Sequence, residues 1–86
     1  MSQGINKCIA RAIVEVAVFL EFSKEEAVNP DSAIQALEQL ASTLQMADIK
    51  TKDALCLLFK EISSEYSGEQ AGFIESLGES LGLVED

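Results

Sequence analysis

The sequence predicts an all-α protein, a single compact four-helix bundle-like domain over residues 1–86, and three observations carry that prediction. Apolar residues make up 48% of the chain but only five of the 86 residues are aromatic. The core therefore rests on Leu, Ile, Val and Ala, which favours helices packed on helices. Apolar residues also recur at spacings of three and four through every long segment, and strand-like alternation is absent. Helix-start and helix-stop residues finally divide the chain into four such segments. A domain of this size buries about 60–65% of the surface its unfolded chain exposes, so its margin of stability is thin.

The first helix is expected over residues 4–22. Ile5, Ile9, Ala12, Ile13, Val16 and Leu20 recur at helical spacing and form its expected inward stripe. The opposite stripe opens with Lys7, Arg11 and Glu15 but continues as Val18 and Phe22, so the second half is apolar nearly all round. Such a segment is either the central helix of the bundle or half of a self-association surface. In the second case Val14, Val18 and Phe22 supply an isologous seam.

A polar connector, Ser23 to Val28, leads to Asn29-Pro30-Asp31-Ser32. This is a strong helix start, with Asn29 as N-cap, Pro30 at the first helical position and an acid in the first turn. The second helix, 30–46, presents Ile34, Leu37, Leu40, Ala41 and Leu44 on one face and polar residues on the other. Thr51 is the expected cap of the third, 52–66, with Leu55, Leu58, Phe59, Ile62 and Tyr66 inward and Leu57 exposed among Asp53, Lys60 and Ser64. The fourth, 68–81, opens with Ser67-x-x-Gln70, a capping-box pattern, and points Phe73, Ile74, Leu77 and Leu81 inward. Gly82 supplies a left-handed stop with Leu83 folding back. Gly72 and Gly78 weaken this helix by up to about 1 kcal/mol each relative to alanine, which makes it the least stable of the four.

Charge narrows the function. Fifteen acids against six bases give a formal charge of −9, which opposes nucleic-acid phosphates and anionic membranes and favours a protein partner with a basic surface. After Lys60 the chain carries Glu61, Glu65, Glu69, Glu75, Glu79, Glu85 and Asp86 and no base. Lys7 and Arg11 precede an apolar run, but Glu15 and Glu21 interrupt it, no cleavage site follows, and Val16 to Leu20 is far too short to span a bilayer. Cys8 and Cys56 read as reduced, buried, small hydrophobes. Cytoplasmic residence is the expectation.

Catalytic chemistry finds little support. Without histidine there is no Cys-His or Ser-His nucleophile system, and two distant cysteines do not make a zinc site. The acids around Glu21, Glu25, Glu26 and Asp31 lack the ligand order of a calcium loop. The expectation is a non-enzyme with no cofactor and no metal. Asp31-Ser32-Ala33 opens a helix as the prosthetic-group serine of an acyl carrier protein does, a minor alternative. The short connector and Ala33 in place of leucine depart from the carrier pattern. Acidic charge could also imitate a nucleic-acid backbone toward a nuclease.

With the helices placed, a family resemblance emerges from Phe19-Leu20-Glu21-Phe22-Ser23, Asn29-Pro30-Asp31-Ser32-Ala33, Leu37-Glu38-Gln39-Leu40-Ala41, Phe73-Ile74-Glu75-Ser76-Leu77 and Leu81-Gly82-Leu83. The chain resembles the small all-helical immunity proteins encoded beside bacterial toxins. That resemblance implies a single cognate toxin, blocked by tight binding, and no catalytic residue. Leu57, Glu61, Glu65, Glu69, Glu75 and Glu79 are then the expected partner-binding residues, each of which equally suits a solvated face. The alternative function is a homodimeric structural or adaptor protein joined through helix one.

Overall fold

The computed structural model describes residues 6–84 and contains five helices: α1 (Lys7–Phe22), α2 (Pro30–Leu44), α3 (Ile49–Ser63), α4 (Gly68–Glu75) and α5 (Leu77–Ser80). The all-α bundle expected from composition is present. Ile5, Glu85 and Asp86 lie outside the described residues.

Two boundaries follow the caps read from sequence. Asn29 Oδ1 accepts from the Ser32 N–H at 3.1 Å at the head of α2, with Pro30 behind it in the first turn. At the other end of the chain, Gly82 takes φ +74, Gly82 N–H donates to Glu79 and Leu83 N–H donates to Gly78. This is the Schellman pattern, in which the residue after the glycine folds back against the helix. Leu83 is accordingly fully buried.

Two caps differ. α3 begins three residues earlier than Thr51 suggests, because Asp48 is the N-cap and accepts from the Thr51 N–H at 2.9 Å. Ser67 ends the preceding turn without a side-chain cap bond, so the Ser67–Gln70 capping box does not form. Gly68 at φ +62 stands between them in the left-handed region and turns the chain away from the geometry that box requires.

The fourth expected helix is two helices. Ser76 sits at φ −97, ψ 9, and its hydroxyl donates back to the Gly72 carbonyl at 3.1 Å, a bond that competes with the helical ladder and bends the chain there. The bend lets Gly78 press on α3. A Cβ at position 78 would stand 2.5 Å from Cys56 Sγ. Gly78 is thus a contact point rather than a weakness, and α4–α5 supplies Ile74, Leu77, Leu81 and Leu83 to the core.

α3 is the hub, packing on α1, α4 and α5, and its Leu55, Phe59 and Ile62 are fully buried. α1 meets this core through Ala10, Val14 and Ala17, all at zero exposure. These small residues allow close approach of the helix axes. The expected inward stripe of α1 is therefore corrected. Ile9, Ala12 and Val16 are exposed and only Ile13 and Leu20 are half-buried. The expected self-association seam is corrected with it, since Val14 is wholly buried, Val18 packs against the core, and half-buried Phe22 meets Phe73 edge to face at 5.5 Å. Cys8 is exposed and Cys56 half-buried, against the expectation that both are interior.

Candidate functional site

The acids of the C-terminal third do not form one field. Glu61 and Glu65 face α1. Arg11 grips Glu65 with both guanidinium nitrogens, the second at 3.2 Å, and Lys7 Nζ lies 3.6 Å from Glu61 and 3.9 Å from Glu65. The Arg11 hydrogen bond holds the Glu65 carboxyl below its ordinary range, with slight burial opposing and the positive charges of Arg11 and Lys7 adding. Both acids take part in a surface tie between α1 and α3.

Leu57 lines one recess, and Glu75 and Glu79 line a neighbouring one that shares Cys56, Lys60 and Val84 with it. The first is an open groove of about 510 Å³ along α3, lined by Ile49, Asp53, Cys56, Leu57, Lys60 and Val84. Against it lies a smaller recess of about 110 Å³ lined by Cys56, Lys60, Glu75, Gly78, Glu79 and Val84. Leu57 is 64% exposed, Ile49 58% and Val84 48%, so three large apolar side chains meet solvent around one groove. Scattered exposed hydrophobes are ordinary, whereas a rimmed cluster marks an interaction surface. Asp53 and Lys60 bring one charge of each sign to the groove, and Glu75 and Glu79 add negative charge in the recess beside it. Glu69 lies apart in the first turn of α4, where its charge suits the helix dipole.

Cys56 shares the floor of both recesses. Burial first, and then the nearby Asp53 carboxylate, push its thiol up from the ordinary value, with Lys60 opposing. It therefore stays protonated near neutral pH, an apolar floor rather than a nucleophile. Among the described residues no group of three or more His, Cys, Asp and Glu side chains is placed to hold a metal ion. No helix is long and apolar enough to cross a membrane, again among the described residues. Ser32 is exposed in the first turn of α2.

Ile49 and Val84 are site residues that the sequence reading missed. Ile49 was hidden by placing the helix start at Thr51. Once Asp48 is taken as the cap, Ile49, Asp53, Leu57 and Lys60 fall at spacings of four, four and three and share one face. Val84 carries no periodic signal, because it follows the Schellman turn and its position depends on Leu83 folding inward.

A second cavity, of about 330 Å³, separates α2 from α4–α5 and is lined by Ile34, Leu37, Ala41, Phe73, Leu77 and Leu81 with Glu21, Glu38 and Ser80. Gln45 Nε2 donates to the carbonyl of Leu81, one of the cavity's lining residues, at 2.8 Å.

No protein-family model, curated protein or solved structure matches the chain.

Proposed function

We propose that this protein is a non-catalytic binding module that neutralises a cognate bacterial toxin or other enzyme, docking the α3–α5 groove onto a basic face of its target. The observation that carries this reading is the acid-rimmed apolar cluster of Ile49, Leu57 and Val84. Apolar anchors at the centre of a patch supply affinity, while charge around them speeds association and discourages wrong partners. Glu75, Glu79 and Asp53 suit that second task. The resemblance to immunity proteins supports a toxin as the target, and the chain's −9 charge supports a basic one.

The test is capture on the tagged protein from its native host at low and moderate salt, run beside Leu57→Asp and a Glu75→Lys/Glu79→Lys double variant. One stoichiometric basic protein should be retained, weakened by salt, and lost from both variants. Retention that ignores salt, or that survives Leu57→Asp, sinks the reading.

A further inference from the structure

The cavity between α2 and α4–α5 shares no residue with the α3 groove, and it has the make-up of a small-molecule site. Buried Leu77 and Leu81 form one wall with Phe73 beside them, so the space reaches the core. α2 supplies the facing wall through Leu37, which is half-buried, and Ile34, which stays 54% exposed. Its volume of about 330 Å³ falls at the small end of ligand pockets, which are mostly apolar with a few polar groups that fix orientation. A further recess of about 180 Å³ shares Glu21, Ile34 and Leu37 with it.

The charged groups that line this cavity carry one sign. Glu21 and Glu38 are both solvent-exposed, and neither has an ion-pair partner among the described residues. None of the chain's six bases lines the space. Glu21 also stands in the last turn of α1, which holds no basic residue. Helix carbonyls add negative partial charge there, so a cation is favoured by the carboxylate and by the helix end together. The α3 groove differs, since Lys60 stands in it with Asp53, and Glu61 and Glu65 already have Lys7 and Arg11.

We propose that the cavity binds a small amphipathic cation, a protonated amine on a compact apolar body. The body covers Ile34, Leu37 and Phe73 from water, and that burial supplies most of the affinity. The ammonium has three N–H donors and no acceptor, the complement of the Glu21 and Glu38 carboxylates and the Ser80 hydroxyl oxygen. A neutral ligand of the same shape gains only the burial, and an anion is repelled as well. The proposal is independent of the toxin-binding reading, which uses a different face. Leu57→Asp should therefore leave amine binding untouched, and a failed capture experiment bears on that reading alone.

Titration of the full chain, followed by amide and methyl NMR, with n-hexylammonium chloride beside 1-hexanol and sodium hexanoate tests the proposal. The three probes share a body and differ in charge. Saturable shifts are expected around Ile34, Leu37, Phe73 and Leu77, with nuclear Overhauser contacts from the hexyl chain to Leu37 and Leu77. So few atoms should give a Kd of about a millimolar. Exposed charge pairs contribute modestly, so hexylammonium should bind about three- to tenfold more tightly than hexanol, with hexanoate weakest. Glu21→Gln/Glu38→Gln should reduce that preference to about twofold or less. Glu25→Gln/Glu26→Gln removes the same charge away from the cavity and should leave the preference intact. All four positions are exposed, so both variants should keep the circular dichroism of the parent. Absence of saturable shifts at about ten times that concentration, or ligand contacts centred elsewhere, overturns the proposal. So does the lack of any preference for the ammonium, or one that survives Glu21→Gln/Glu38→Gln. A preference that falls equally in both variants overturns it too, since the field of a −9 chain then explains it.

Discussion

α2 and α3 are each fifteen residues long and each carries an amphipathic pattern, yet the molecule treats them differently. α3 buries Leu55, Phe59 and Ile62 completely and is walled by α1, α4 and α5. α2 buries only Ala33, packs chiefly on α1, and stands off from α4–α5 across the 330 Å³ cavity. Its Leu37, Leu40 and Leu44 are half-buried and Ile34 is exposed. Amphipathicity therefore fixes which face of a helix turns inward but not how much is found there. That depends on how many neighbours the chain's later segments provide.

The largest expected effect breaks the hub. Phe59→Ala removes a fully buried ring at the meeting of four helices and should cost about 3–5 kcal/mol in denaturant unfolding, enough to unfold a domain with so thin a margin. Leu37→Ala removes a side chain that already borders a void, so little packing is lost, and about 1 kcal/mol is expected. Equal costs at the two positions would show that α2 is as tightly held as α3.

Next in size is the α3–α5 contact. Gly78→Ala places a methyl 2.5 Å from Cys56 Sγ and 3.2 Å from its Cβ, so the thiol must rotate away and the two helices give by a few tenths of an ångström. A net loss of about 1–3 kcal/mol is expected from such overpacking, even though alanine is the better helix former. Trimming the obstacle with Cys56→Ala should recover part of it. A double-mutant cycle showing no coupling between these positions would refute the contact.

These two regions also show what was legible in the sequence. The all-α class, the Asn29 cap and the Gly82 stop were readable because each depends on residues within a few positions of one another. The inward face of α1 was not. Periodicity weights large apolar residues, so Ile9 and Val16 looked internal, while the true contacts, Ala10 and Ala17, were chosen for smallness where two helices come close. The split at Ser76 was equally hidden, because it exists to seat Gly78 on Cys56, a contact between distant parts of the chain. Of the expected partner-binding residues, Leu57 lines the groove on α3, and Glu75 and Glu79 line the recess beside it. The ion pairs of Glu61 and Glu65 were not legible, because their cations, Lys7 and Arg11, lie more than fifty residues away.

A smaller effect sharpens the contrast in dynamics. Asn29→Ala removes the side-chain bond to Ser32 and should cost about 1 kcal/mol. Since α2 is held on one side only, the loss should fall on local opening of that helix. Amide exchange in α2 is expected to accelerate in the variant while the α3 amides around Phe59 scarcely change. Uniform acceleration through both helices would mean that α2 opens only with the whole molecule.

The smallest effect concerns the surface tie between α1 and α3. Glu65 is held below its ordinary range by Arg11, so the unfolded chain takes up a proton at a higher pH than the folded one does. Its stabilisation is complete above the ordinary carboxylate range and is lost as pH falls through the folded value. Asp48, lowered first by a hydrogen bond with the Thr51 side chain and then by the Thr51 N–H, changes in the same direction. Comparing wild type with Glu65→Gln, the stability difference should be small near neutral pH, since the pair is solvent-exposed, and should shrink on acidification and in high salt. A difference that persists unchanged into acid would mean that Glu65 supports α1 through packing of its stem rather than through charge.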